Sequence, residues 1–204
     1  MICLATLIIS GCGNQESTES DALTTSSAFQ IFADSLAMLE SPFYVTEVDL
    51  QYLKHSKYLA LDSSSLQLLI SNRDQEAQYF LVGRMSIDST FITIIILESK
   101  VDSMFNASER FLVNNYDVNG NILGSTEMSA SITGNDHFII TGIINEDGLI
   151  STEKYQFLFE NGEWEKVPEP IVIVQYMIDS SGAIKQSSVF MNMKNGSDSS
   201  ASAI

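Results

Sequence analysis

Two cysteines, two histidines and 26 carboxylates are the side chains whose types offer chemistry, and their spacing restricts what they can do. Cys12 closes the run Ile9-Ser10-Gly11-Cys12, directly behind an apolar stretch from Ile2 to Ile9 that holds the other cysteine, Cys3. A lone thiol after two small residues suits covalent attachment better than cross-linking. No cysteine follows Cys12, so the rest of the chain forms no internal disulfide, and a structural zinc site is not expected there. His55 and His137 are far apart, and neither has a second ligand at metal-type spacing. The stretch Asp117-Val-Asn119-Gly120-Asn121 begins like a calcium loop, but Gly comes fourth where an EF-hand needs it sixth; a hairpin turn is the expectation.

Nucleophilic catalysis finds no G-x-S-x-G elbow, and no G-x-x-x-x-G-K loop is present to cradle phosphate. Asp136 and His137 are adjacent, which on a strand turns them to opposite faces and makes them a poor orienter and base. The many acids allow carboxylate pairs for glycan hydrolysis on paper, yet abundance is not spacing, and a solvated acidic surface accounts for them. The reading is therefore non-enzymatic, with no catalytic, cofactor-binding or metal residues assigned. A formal net charge of −16 repels a phosphate backbone, so nucleic acid is excluded as a partner.

The elements that must present any surface follow from periodicity. Residues Ala28–Glu40 place Phe29, Phe32, Leu36 and Leu39 on one helical stripe ahead of Pro42. From Phe43 the period switches to two. Strands are expected at 43–50, 57–61, 66–71, 78–87, 91–99, 110–116, 121–131, 137–145, 149–159, 163–167, 171–178 and 183–193. Phe91–Leu97 and Ile171–Val174 are unbroken apolar runs, as in strands covered on both faces. Gly142 interrupts its strand and reads as a bulge. Asp117, Asn145 and Asp179 are each followed by Gly three residues on and Ile five residues on, and Asn161-Gly162 adds a shorter turn. These are hairpin signals. Tyr155, Phe157 and Phe159 share one face near Trp164, and packing into the core is the favoured reading of that stripe over a binding platform. The fold expected is mainly β: an antiparallel up-and-down meander of roughly ten strands with one N-terminal helix. A layered sheet or sandwich is favoured over a barrel.

Ile9-Ser10-Gly11-Cys12 resembles the lipobox of bacterial lipoproteins: an aliphatic residue, two small ones, then cysteine. The resemblance implies a signal peptide at 1–11, cleaved between Gly11 and Cys12, and a diacylglycerol on the Cys12 thiol. The new amino terminus is commonly acylated as well. No Lys or Arg precedes the apolar run, a departure that points to an upstream start or an atypical signal. Each buried CH₂ contributes about 0.8 kcal/mol, so two or three acyl chains would hold the protein permanently. Residues 12–27 would then be the lipidated cysteine and an acidic, Ser/Thr-rich tether, 28–194 the β domain and 195–204 a frayed tail. Glu16, Glu19 and Asp21 also resemble the surface-export signals of lipoproteins in the Bacteroidota, whose uncharacterised envelope lipoproteins the whole chain is similar to in style. The expectation is an outer-membrane lipoprotein, with its membrane face open, that binds or scaffolds an envelope protein or glycan. The alternatives are an envelope hydrolase using an Asp/Glu pair on glycans or peptides, and a barrel carrying a small apolar ligand.

Overall fold

The computed structural model describes residues 28–70, 73–101, 106–134 and 137–192; the expected signal and tether, with Cys12, Asp136 and residues 193–204, lie outside them. Helix α1 covers 28–34. After it come β1 (Phe43–Val45), α2 (Glu47–Gln51), a 3₁₀ turn (His55–Lys57), β2 (Leu59–Ala60), α3 (Ser63–Leu69), β3 (Gln78–Met85) and β4 (Ile92–Val101). The chain continues through β5 (Ala107–Tyr116), β6 (Ile122–Ile132), β7 (Phe138–Ile144), β8 (Leu149–Glu160), β9 (Glu163–Lys166), β10 (Val172–Ile178) and β11 (Ile184–Met191).

The eleven strands form one sheet in the order β11-β10-β8-β7-β6-β5-β4-β3-β2, with β1 added on β7 and β9 on β8. Every ladder is antiparallel, so the expected meander is present. Its turns obey one rule. The nitrogens of Gly120, Gly148 and Gly182 donate to the carbonyls of Asp117, Asn145 and Asp179, and all three glycines have φ near +80°. That backbone is open to Gly and strained for other residues, which is why the spacing is readable.

Alternation of strand direction gathers these turns at one end of the sheet, beside the β3–β4 connection. Thr90 Oγ1 there donates to the Ser180 carbonyl at 3.1 Å. The β8–β9 turn lies at the opposite end.

The sheet folds over where β6 leaves β7. Only Ala130–Ile132 pairs with Phe138–Ile140, after which Gly142–Ile144 pairs with β1 instead. Gly142 is no bulge, since its pairing with β1 and β8 runs in unbroken register. It marks a crossing: a Cβ there would stand 2.1 Å from the Met128 carbonyl oxygen. The bulges fall elsewhere, at Leu81/Gly83, Phe111/Leu112, Asn115/Tyr116 and Gln175/Tyr176. β2 and β11 do not pair with each other, so the result is a folded-over layered sheet rather than a closed barrel.

Two apolar clusters result. Between the layers, Ile95, Leu97, Phe111 and Val113 meet Met128, Ile139, Ile144, Ile150 and Ile178, with Leu50 of α2 at the side. On the outer face of β3–β5, Tyr79, Leu81, Ile94, Ile96 and Tyr116 are covered by Phe29, Ala33 and Leu36, and by Leu69 of α3. Residues 94–97 are fully buried, as expected for a strand covered on both faces. The 171–174 run departs from that expectation: β10 lies next to the edge and its residues 172–174 are half-buried.

Three short helices replace the one expected. α1 ends at 34, and the chain beyond it turns onto β3 through Leu39 N–H to the Arg84 carbonyl and Arg84 N–H to the Ala37 carbonyl. The strand expected over 43–50 stops at Val45, where Thr46 and Asp49 cap α2 reciprocally. Of the strand expected over 66–71, residues 66–69 are helical instead, because Asp62 Oδ1 accepts the Ser65 amide at 2.8 Å and starts α3.

Candidate functional site

β8 outruns its neighbours. Its pairing with β10 reaches only to Lys154, and that with β7 ends at Gln156 opposite Phe138. Beyond this, the Phe157 amide still donates to the His137 carbonyl, Leu158–Glu160 is paired with β9 alone, and the turn is the two-residue Asn161-Gly162 with both φ positive, as a tight hairpin requires. A Cβ on Gly162 would meet nothing within 4 Å. The hairpin is a two-stranded ribbon projecting past the end of the sheet.

Alternation sorts the ribbon into two sides. Phe159 and Trp164 are directly opposed, with ring centroids 5.3 Å apart, and they are 62% and 44% exposed. Leu158, on the reverse side, is 44% exposed and faces a cavity of about 360 Å³ shared with Gln156, Glu165 and Ile171. Phe159 pairs with Trp164 as the stripe suggested, but the expectation that these rings enter the core is overturned. Strand β7, on the neighbouring side of β8, begins only at Phe138.

At the root of the ribbon the His137 ring stacks on Phe157 at 4.3 Å and meets the edge of Trp164 at 5.2 Å. Burial against these rings holds the imidazole below its ordinary value of 6.5. A lowered folded value means the fold prefers the neutral ring. Stability is full above the ordinary value and declines as pH falls through it toward the folded one. His137→Phe keeps the stacking and removes the proton site. The wild-type urea midpoint should therefore fall more than the variant's between pH 7 and pH 5, values chosen to span about one unit or more around an ordinary histidine. Parallel pH curves would show that the ring is not the titrating element.

Lys166, the cation of the ribbon, is already engaged: it pairs with Glu47 of α2 and lies 4.8 Å from the Tyr155 ring centroid. The Tyr155 hydroxyl donates to Glu153 at 2.6 Å, and burial with that carboxylate pushes its pKa up to about 12. Glu47 and Glu153 also border a cavity of about 250 Å³ between β1 and β7–β8.

Two other polar clusters bear on catalysis. His55 Nε2 lies 3.2 Å from both Glu109 carboxylate oxygens, and Ser99 Oγ donates to the same carboxylate at 2.9 Å. A nucleophile triad needs the imidazole between hydroxyl and acid. Here the acid is in the middle, an arrangement that ties the 3₁₀ turn to β4 and β5. On the outer face, Arg110 stands between Glu98 at 4.0 Å and Glu127 at 3.5 Å. Burial raises the Glu127 carboxyl above its usual range while Arg110 opposes the shift. The guanidinium thus stands within ion-pair reach of both glutamates.

No protein-family model, curated protein or solved structure matches this chain. What its surface does must be argued from its own residues. Cys12 and Gly11, expected from the sequence as the lipidation and cleavage positions, lie outside the described residues, as does Asp136. The stretch at 117–121 is the hairpin turn expected, with Asp117 Oδ1 accepting the Asn119 and Asn121 amides. Sequence reasoning missed the Glu98–Arg110–Glu127 row, because register across three strands decides it.

Proposed function

We propose that this protein is a lipid-anchored envelope protein, held at the outer membrane through Cys12, whose β domain binds a partner without chemical conversion. The exposed Phe159–Trp164 pair on a projecting ribbon carries the reading. Large aromatic side chains left uncovered at a protrusion supply contact area with few rotatable bonds to order. The position of α1 supports the anchor. Phe29 lies against Gly120 of the β5–β6 turn, so a tether ahead of residue 28 would join the domain at the end opposite the ribbon. Such a domain would present its aromatic pair away from the lipid surface. The carrier alternative has no comparable support, since Ile95, Leu97, Phe111 and Met128 fill the space between the layers.

The test compares the full chain with Cys12→Ser after expression in a lipoprotein-processing host. Wild type should enter the detergent phase and gain the mass of a diacylglycerol with loss of the signal, while the variant stays aqueous and unmodified. An aqueous, unmodified wild type would sink the anchor.

A further inference from the structure

The ribbon carries a second chemical feature beside its rings. Glu160 and Glu163 oppose each other directly across the turn, and Glu165 follows on the same side, opposite Leu158. All three acids are exposed. Like charges facing across a hairpin are destabilising. Among the described residues no Lys or Arg lies at ion-pair distance from any of the three, and Lys166 is held by Glu47. The ribbon thus has an aromatic side and an uncompensated anionic side. Among the described residues, strand β9 pairs only with β8, and no strand lies on its outer edge.

From this charge complementarity we infer that the ribbon docks an extended, Arg- or Lys-containing protein segment along the free edge of β9. The inference deepens the binding reading above and rests on it. An added strand turns successive side chains to opposite faces. One set, apolar, would pack on Phe159 and Trp164, and the cations would all lie on the opposite side. The other set would meet Glu160, Glu163 and Glu165 and relieve their mutual repulsion. An acidic segment is excluded by the same charges, and a neutral glycan would use the rings and leave the carboxylates uncompensated.

Trp164 is the sole tryptophan of the chain, so its emission reports on this surface directly. The full chain in detergent is titrated with an alternating Arg-Val octapeptide, its Glu-Val counterpart and chitohexaose. The Arg-Val peptide should give a saturable change and the Glu-Val peptide none. Phe159→Ser, and separately Glu160→Gln with Glu163→Gln and Glu165→Gln, should each weaken binding by about tenfold, as loss of a central contact does. These positions are exposed, and unchanged circular dichroism melts would confirm that the variants fold. Equal response to both peptides, unaltered affinity in either variant, or silence to every probe overturns the inference. Saturation by chitohexaose alone also overturns it while leaving a binding module in place. None of these outcomes depends on how Cys12 partitions.

Discussion

Gly142→Ala should lower the stability of the domain by about 3 kcal/mol, the upper range for forcing a methyl group into a packed site. The added Cβ would stand 2.1 Å from the Met128 carbonyl oxygen and 2.8 Å from its Cγ. The nearer atom is backbone, so no rotamer change relieves the clash. Moving it means parting β6 from β7 at the place where the two layers join. Gly162→Ala is the matched control. It too replaces a glycine, but one in the β8–β9 turn with open space around it, where only its φ of +89° resists a side chain. A cost of about 1 kcal/mol is expected there. Urea midpoints followed by far-ultraviolet circular dichroism give both numbers. A Gly142→Ala cost no larger than that of Gly162→Ala would show that the strands do not cross so closely.

The second large effect belongs to Asn115, which is fully buried on β5. Its Nδ2 donates to the Gly182 carbonyl at 2.8 Å, and its Oδ1 accepts the Thr93 hydroxyl at 2.8 Å. One side chain thus ties the β10–β11 turn to the middle of the opposite layer. Asn115→Ala strands a carbonyl and a buried hydroxyl and leaves a small void, and a loss of about 2–4 kcal/mol is expected. Thr93→Val should cost less in the Asn115→Ala background than in the wild type, with a coupling of about 1 kcal/mol. Strict additivity in that double-mutant cycle would mean the hydrogen bond contributes nothing.

How far the sequence was legible depended on the range of the interaction that decided each feature. The three Asx-to-Gly turns were readable because a positive φ is a local demand, met within five residues. Phe91–Leu97 was readable because burial on both faces leaves Thr93 as the one polar residue in the run. Helices α2 and α3 were hidden by their length: five and seven residues are too few to display a helical period, and only the caps at Thr46 and Asp62 betray them. Gly142 was misread because a crossing between strands has no period at all. Trp164 and Phe159 were assigned the correct face and the wrong environment. Period two reports which side a ring is on, whereas its exposure depends on where β7 stops.

Strand β4 belongs to both apolar clusters. Ile94 and Ile96 serve the helix-covered one, Ile95 and Leu97 the one between the layers. Removing α1 and α3 would bare one face of that strand to water, and opening the layers would bare the other. Neither loss can be confined to its own side, because β4 keeps its place only while both faces are dry. The two clusters are therefore expected to unfold together, in one transition rather than two.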